Sequence, residues 1–249
     1  MNIMGVRDQE ASRPLMEMKS ITKIFFPGKE NEVRALRHTD LSVRRGDMIA
    51  VMGPSGSGKS TLLHILGMLD LPTRGKYWYD GQDVGAFSEA KRAALRGEKI
   101  GIVLQDYGMI KEMSAAENAE IPLVIAGRKR AEAKTAVAGA MEKVGLSDKL
   151  HVKAALLSGG EQQRVAIARV SASGAEVILA DEPTWALDSD TTREIMDLLE
   201  TLNREGKTIV VATHNQYVAD RCRRRIRILD GQLKEDPDSV LASENNSIP

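Results

Sequence analysis

Residues 48–69 read MIAVMGPSGSGKSTLLHILGML, and this stretch decides the fold. Met48 to Met52 are apolar without a break, the pattern of a strand buried on both faces. Gly53 to Ser60, GPSGSGKS, follows directly and fits the phosphate-binding spacing G-x-x-x-x-G-K-[ST]. From Lys59 to Met68 and just beyond, Leu62, Leu63, Ile65, Leu66 and Leu69 recur at helical spacing, so a helix is predicted there. Gly53, Gly56 and Gly58, with Pro54, Ser55 and Ser57 between them, let backbone N–H groups converge on phosphate oxygens without side chains in the way. The start of the helix adds its partial positive charge to the same anion. Lys59 would pair with β- and γ-phosphates. The hydroxyl of Ser60, followed by Thr61, would take a position on Mg²⁺, a hard ion suited to such oxygen ligands.

Outward from this stretch, strand-like and helix-like runs alternate. Ile100 to Leu104, Val177 to Ala180 and the β-branched run Thr208 to Ala212 read as further central strands. Between the last two, Ile195, Leu198, Leu199 and Leu202 follow the i, i+3, i+4, i+7 pattern of an amphipathic helix. The expected fold class is therefore α/β, a mostly parallel sheet with helices on its faces. From about Met109 to Leu150 the composition turns rich in Ala, Glu, Lys and Met with no strand signal, which reads as a helical insert, either covering helices or a functional arm.

Asp181 and Glu182 end the run Val177 to Ala180, at the carboxyl end of a strand, where open α/β sheets bind ligands. An acidic pair at that place also serves as a cap or turn, but beside a phosphate loop the ligand role is favoured. Asp181 would hold Mg²⁺, directly or through water, and Glu182 would polarise a water for in-line attack on a γ-phosphate.

Composition narrows the classes. The chain has 249 residues, with 35 Lys plus Arg against 35 Asp plus Glu, and this zero balance argues against a protein that neutralises nucleic-acid phosphates. Its apolar runs fall far short of the roughly 20 residues that span a bilayer. The first 14 residues carry Arg7, Asp8, Glu10 and Arg13 and no apolar core, so no secretory signal is read and the cytoplasm is expected. The one cysteine, Cys222, has no partner for an internal disulfide.

At Leu157 to Arg164 the chain reads LSGGEQQR. Ser158, Gly159 and Gly160 before a helix beginning near Glu161 form a second phosphate-type element, with a small hydroxyl, two flexible residues and a helix start. With GPSGSGKS and the Asp181–Glu182 strand in the same order, the chain resembles the ATP-binding cassette (ABC) ATPase family over roughly Leu15 to Leu233. The resemblance implies ATP and Mg²⁺ as ligands, with an N-terminal antiparallel β portion and a helical subdomain at about 109–172 in one cassette over 15–234. It also implies a head-to-tail dimer in which Ser158, Gly159, Gly160 and Glu161 of one copy close over the nucleotide of the other. In family terms Gln105 is the glutamine that touches Mg²⁺ or the attacking water, and His214 is the switch histidine that contacts the γ-phosphate and supports Glu182. Asp188 lies in the loop through which cassettes sense each other, and Phe25 stacks on adenine, with Phe26 as its rival. Gln105 to Met113 would help form the groove for a polytopic membrane permease, which places the protein on the inner face of the cell membrane.

Two positions depart from the family pattern: Trp185 stands where a glycine is usual, and would be strained if that position needs positive φ. Asn215 replaces a common aspartate after the histidine. Ser158 follows Gln105 by 53 positions, which leaves no room for the coiled coils of chromosome-maintenance ATPases. A single copy of each motif differs from translation-associated members, and a kinase or GTPase has no use for LSGGEQQR. The runs MGPSGSGKSTLLHILGMLDLPTRG and ADEPTWALD are similar to the lipoprotein-release, macrolide-export and peptide- or bacteriocin-export branch, implying export of a peptide, lipid-linked or antimicrobial compound. The alternative is a nucleotide-gated module for mechanical or structural work. Residues 1–14 and 235–249 are expected to be flexible tails. Five arginines among residues 221–227 could face acidic lipid headgroups or a partner, or form a solvated face balanced by the acidic tail.

Overall fold

The structure, a computed structural model, describes residues 13–236. Two sheets carry it. The first is antiparallel and joins β1 (Met16–Phe25), β2 (Val33–Val43), β4 (Arg74–Tyr79) and β5 (Gln82–Asp83) in the order β2-β1-β4-β5. The second has six strands in the order β10-β9-β3-β8-β7-β6, formed by β3 (Met48–Met52), β6 (Ile100–Val103), β7 (Val177–Asp181), β8 (Thr208–Thr213), β9 (Arg224–Leu229) and β10 (Gln232–Glu235). Every pairing in it is parallel except that of β10 with β9.

The unbroken apolar runs are explained by cores on both faces of this sheet. Along β3, β7 and β8 side chains alternate: Met48, Ala50, Ile178, Ala180, Ile209 and Val211 enter one core, while Ile49, Val51, Val177, Leu179, Val210 and Ala212 enter the other. α1 (Lys59–Leu66) covers the second face with Leu62, Leu63, Ile65 and Leu66, together with Met16, Met18 and Ile21 from β1. The first face is covered by α3 (Ala115–Ile125), α4 (Arg130–Lys143), α5 (Gly159–Ser173) and α6 (Ser189–Arg204) through Ala119, Val137, Met141, Val165, Ile195 and Leu199. α2 (Glu89–Lys99) and the short α7 (Gln216–Asp220) complete the set of helices among the described residues. The 109–150 segment is thus helical and contributes to a core, as covering helices do.

Several sequence expectations are corrected at their edges. α1 stops at Leu66 because Met68 turns left-handed at φ 55°, which leaves Leu69 about half exposed instead of on the helix face. β6 ends at Val103, one residue before Leu104. α5 starts at Gly159, two residues before Glu161, because Ser158 caps it. Trp185 is not in the positive-φ region; the left-handed turns of its segment fall on Glu182 and Ala186. The arginine block is paired with acids, among them Glu235 and Asp236 at the start of the acidic stretch, the latter also 3.6 Å from Arg227. Arg221 pairs with Asp197 and Glu200, Arg224 with Asp47 and Glu235, and Arg225 with Asp220 and Asp236. Glu235, expected to open a flexible tail, is instead the last residue of β10, and residues 237–249 of that expected tail lie outside the described residues together with 1–12. Among the described residues no helix is long and apolar enough to cross a membrane.

Candidate nucleotide site

A cleft of about 880 Å³ opens at the carboxyl ends of β3, β7 and β8. Pro54, Ser55, Gly56, Gly58, Lys59, Ser60 and Thr61 form one wall, and Phe25, Gln105, Asp181, Glu182, Trp185 and His214 are among the residues that line the rest. Of the rival aromatics, Phe25 faces the cleft; Phe26 turns left-handed and stands 53% exposed to solvent. Gly53 lies beneath the loop, under the Ile228 carbonyl, and Ser57 is buried.

Local physics shapes the loop. Gly58 is the N-cap of α1 with φ 109°, and a Cβ there would lie 2.5 Å from the Ala35 carbonyl oxygen, so both the backbone angle and the space demand glycine. No side chain caps α1 and no acidic residue occupies its first turn. The first N–H groups and their partial positive charge are therefore left for an anion. The Lys59 ammonium, nearly buried, donates to the carbonyls of Gly53 at 2.8 Å and Pro54 at 3.1 Å and lies 3.6 Å from Glu182 Oε1.

Glu182 follows β7 with φ 46°, an angle unusual for a residue with a side chain. Its N–H donates to the Ala212 carbonyl at 2.9 Å, which ties the strained turn to β8. The buried carboxylate takes His214 Nδ1 on Oε1 at 2.9 Å and the His214 backbone N–H on Oε2 at 3.4 Å. The ring is thereby aimed through its Nδ1. Asn215 caps α7, its side chain accepting from the Tyr217 N–H at 2.9 Å, so the common aspartate's replacement keeps a cap.

Ser158, Gly159, Gly160, Glu161 and Asp188 are not brought to this cleft; they lie elsewhere on the same chain. Ser158 and Glu161 form a capping box, each side chain bonded to the other's backbone N–H. The Ser158 N–H holds the Glu161 carboxyl below its usual range. Asp188 caps α6, and bonds from Thr191 likewise hold its carboxyl low. A Cβ on Gly160 would lie 2.5 Å from Thr191 Cγ2, and one on Gly159 would lie 2.9 Å from the Tyr107 hydroxyl. Glycine therefore lets the signature loop pack between the Asp188 segment and the loop after Gln105. Sequence reasoning missed Thr191 and Asn118, and placed Tyr107 only in the permease groove, without its approach to Gly159. Asn118, fully buried on α3, accepts from the Ile110 N–H and donates to the Ile110 and Ser114 carbonyls, which pins the loop after Gln105.

Ser60, Gln105 and Asp181 line one cleft and offer a hydroxyl, an amide and a carboxylate. Among the described residues no group of three or more His, Cys, Asp or Glu side chains could hold a metal. The oxygen donors present fit Mg²⁺ that shares its coordination with phosphate and water, as that ion prefers.

A protein-family profile described as ABC transporter matches residues 36–185, more than half of the chain. The chain belongs to the ABC transporter family. The matched span holds the phosphate loop, Gln105, the signature loop and the Asp181–Glu182 strand end, while Phe25, Asp188 and His214 lie outside it. Among curated relatives, the macrolide export ATP-binding/permease protein MacB of Hyphomonas neptunium is 47% identical over 92% of this chain and 36% of its own length. The protein of the same name from Marinobacter nauticus is 46% identical over 93% of this chain and 36% of its own. The chain thus spans about a third of the length of the curated relatives it matches. Among solved structures, the dimeric ATP-binding cassette MJ0796 bound to ADP and Pi superposes with a TM-score of 0.82 at 40% identity, covering 89% of this chain and 97% of that one. CbiO1 from Clostridium perfringens, part of the ABC transporter complex cbiONQ, gives a TM-score of 0.82 at 26% identity, covering 94% of this ABC chain and 92% of its own.

Proposed function

We propose that residues 15–234 are one ATP-hydrolysing cassette that drives an exporter, working as a head-to-tail pair with a second copy or a homologous cassette. The observation that carries this reading is the convergence, in one cleft, of an uncapped helix start, the Lys59 ammonium and the Glu182–His214 pair.

In this reading Phe25 stacks on adenine at one end of the cleft. The triphosphate runs along the 54–61 loop, whose N–H groups and helix start meet its charge. Lys59 exchanges the Gly53 and Pro54 carbonyls for β- and γ-phosphate oxygens, giving up neutral hydrogen bonds for charge-assisted ones. Ser60 and Asp181, with Gln105, would hold Mg²⁺, which would supply positive charge to the phosphate oxygens. Glu182 orients the attacking water and accepts its proton, and His214, held on Oε1, faces the γ-phosphate. The products are ADP and phosphate. Ser158, Gly159, Gly160 and Glu161 complete the site from the other copy, with Asp188 at the seam between them.

The membrane half is a polytopic permease seated against residues 105–113, where Ile110 is exposed, as is Leu104 just before the segment. The cassette then works at the inner face of the cell membrane. The MacB relatives carry ATP-binding and permease functions under one name, which favours export of an antimicrobial, peptide or lipid-linked compound. Phosphate release from MgATP by the purified chain tests the enzymatic reading. Steady turnover is expected, and nucleotide binding without turnover, with or without the permease, would overturn it. Purification from native membranes should bring down a polytopic subunit.

A further inference from the structure

Trp185 lines the cleft yet takes no part in the steps above. Its N–H donates to the Glu182 carbonyl at 3.0 Å, which places it on the same strained turn. Its indole meets the His214 imidazole edge-on, with ring centroids 5.7 Å apart and planes at 62°. The His214 side chain is 54% exposed, so apart from Glu182 Oε1 the indole is what restrains the ring from the solvent side. The indole itself is 49% exposed at the mouth of the cleft. A large apolar ring left half in water at a site that binds its partners is the composition of an interface anchor.

We propose that Trp185 is a positioning residue: it holds His214 on Glu182, and its exposed face is buried against a second copy of this chain when nucleotide closes the pair. This rests on the head-to-tail dimer proposed above. Two observations select a second copy as the occupant. Trp185 lies three residues before Asp188, on the short segment that connects the nucleotide cleft to the cap of α6. The cassette that is 40% identical to this chain was solved as a dimer with ADP and Pi. Because the same ring touches His214 and the partner, closure and the geometry of hydrolysis become one event. Where the family pattern has glycine, the ring is absent and the histidine must be held some other way.

The chain has two tryptophans, Trp78 and Trp185, so Trp78→Phe leaves Trp185 as the only indole. Acrylamide quenching of that variant is measured with and without Mg²⁺ and the non-hydrolysable analogue AMP-PNP, alongside mass by light scattering. A nucleotide-dependent dimer is expected, with quenching reduced about threefold as the ring leaves water. A dimer whose indole stays as quenchable as in the monomer overturns this inference and leaves the dimer intact; absence of any dimer overturns both. In parallel, Trp185→Gly should lower kcat about 3- to 10-fold, the scale of one aromatic pair, with KM for MgATP within about twofold, while Trp185→Phe keeps most of the rate. A glycine variant with unchanged kcat, or a phenylalanine variant as slow as glycine, contradicts the positioning role. The position is half exposed, so both variants should fold, which a thermal melt checks.

Discussion

Two helices of this chain begin after loops of serine and glycine, and they begin in opposite ways. α1 starts at Gly58 with no side-chain cap and no acid in its first turn. α5 starts at Ser158 inside a complete capping box, with Glu161 in its first turn and Lys149 3.6 Å from that carboxylate. The first N-terminus is open and positive; the second is closed on itself and carries a negative charge. By elementary electrostatics only the first can gather a polyphosphate unaided. The signature loop is suited instead to a supporting hydroxyl and backbone contact, offered to an anion that another loop already holds. That asymmetry is the physical case for a site assembled from two chains.

The largest expected effect separates chemistry from binding at the open terminus. Glu182→Gln removes the proton acceptor but keeps the shape, and turnover should fall by about 10²- to 10⁴-fold with ATP affinity retained and an ATP-bound dimer accumulating. Normal turnover in this variant would sink the assigned role. Next, Lys59→Ala should weaken nucleotide binding by about 10- to 100-fold, the loss of a charge-assisted contact, measured by titration with a fluorescent ATP analogue. Unaltered affinity would mean that the open loop is not the polyphosphate site. The closed terminus should respond in the reverse manner. Ser158→Ala removes the cap, costing about 1 kcal/mol and lowering the melting midpoint by about 2–4 °C. Nucleotide affinity of the monomer should not change, and a loss of monomer affinity would erase the contrast between the two loops. The smallest effect is expected at Cys222, whose thiol is buried and pushed up to about 12 by desolvation. It should resist thiol reagents at pH 8 until the protein is unfolded, and rapid labelling of the native chain would contradict its burial.

Much of this was readable in the sequence because the cues are local. The runs Met48 to Met52, Val177 to Ala180 and Thr208 to Ala212 are apolar on both faces, and a strand with a core on each side is the consequence. The loop motifs are contiguous, so their residues arrive together. What could not be read depends on where distant segments meet. Arg224 finds Asp47 across 177 positions and Arg221 finds Asp197 across 24, and no periodicity announces such pairs, so the block could be matched in the sequence only with the acidic stretch that follows it. Strand alternation says that Phe25 and Phe26 differ in environment but not which one faces a ligand. The edge contact of Trp185 with His214 joins two turns after separate strands. Helix ends were misjudged by a residue or two where a backbone turn decided: Met68 going left-handed ended α1, and the Ser158 cap began α5 early.

The account stands most directly on one site being built from the open loop of one chain and the closed loop of another. Mixing two variants tests it: Lys59→Ala, which disables the first loop, and Ser158→Arg, which obstructs the second. Each alone should be inactive in ATP turnover. In an equal mixture half of the pairs are mixed and each mixed pair regains one intact site, so about a quarter of the wild-type activity should return if a two-fold head-to-tail pair is the working unit. If the mixture stays as inactive as its components, or if Ser158→Arg alone turns over ATP normally, the two loops do not meet across chains and the composite site is wrong.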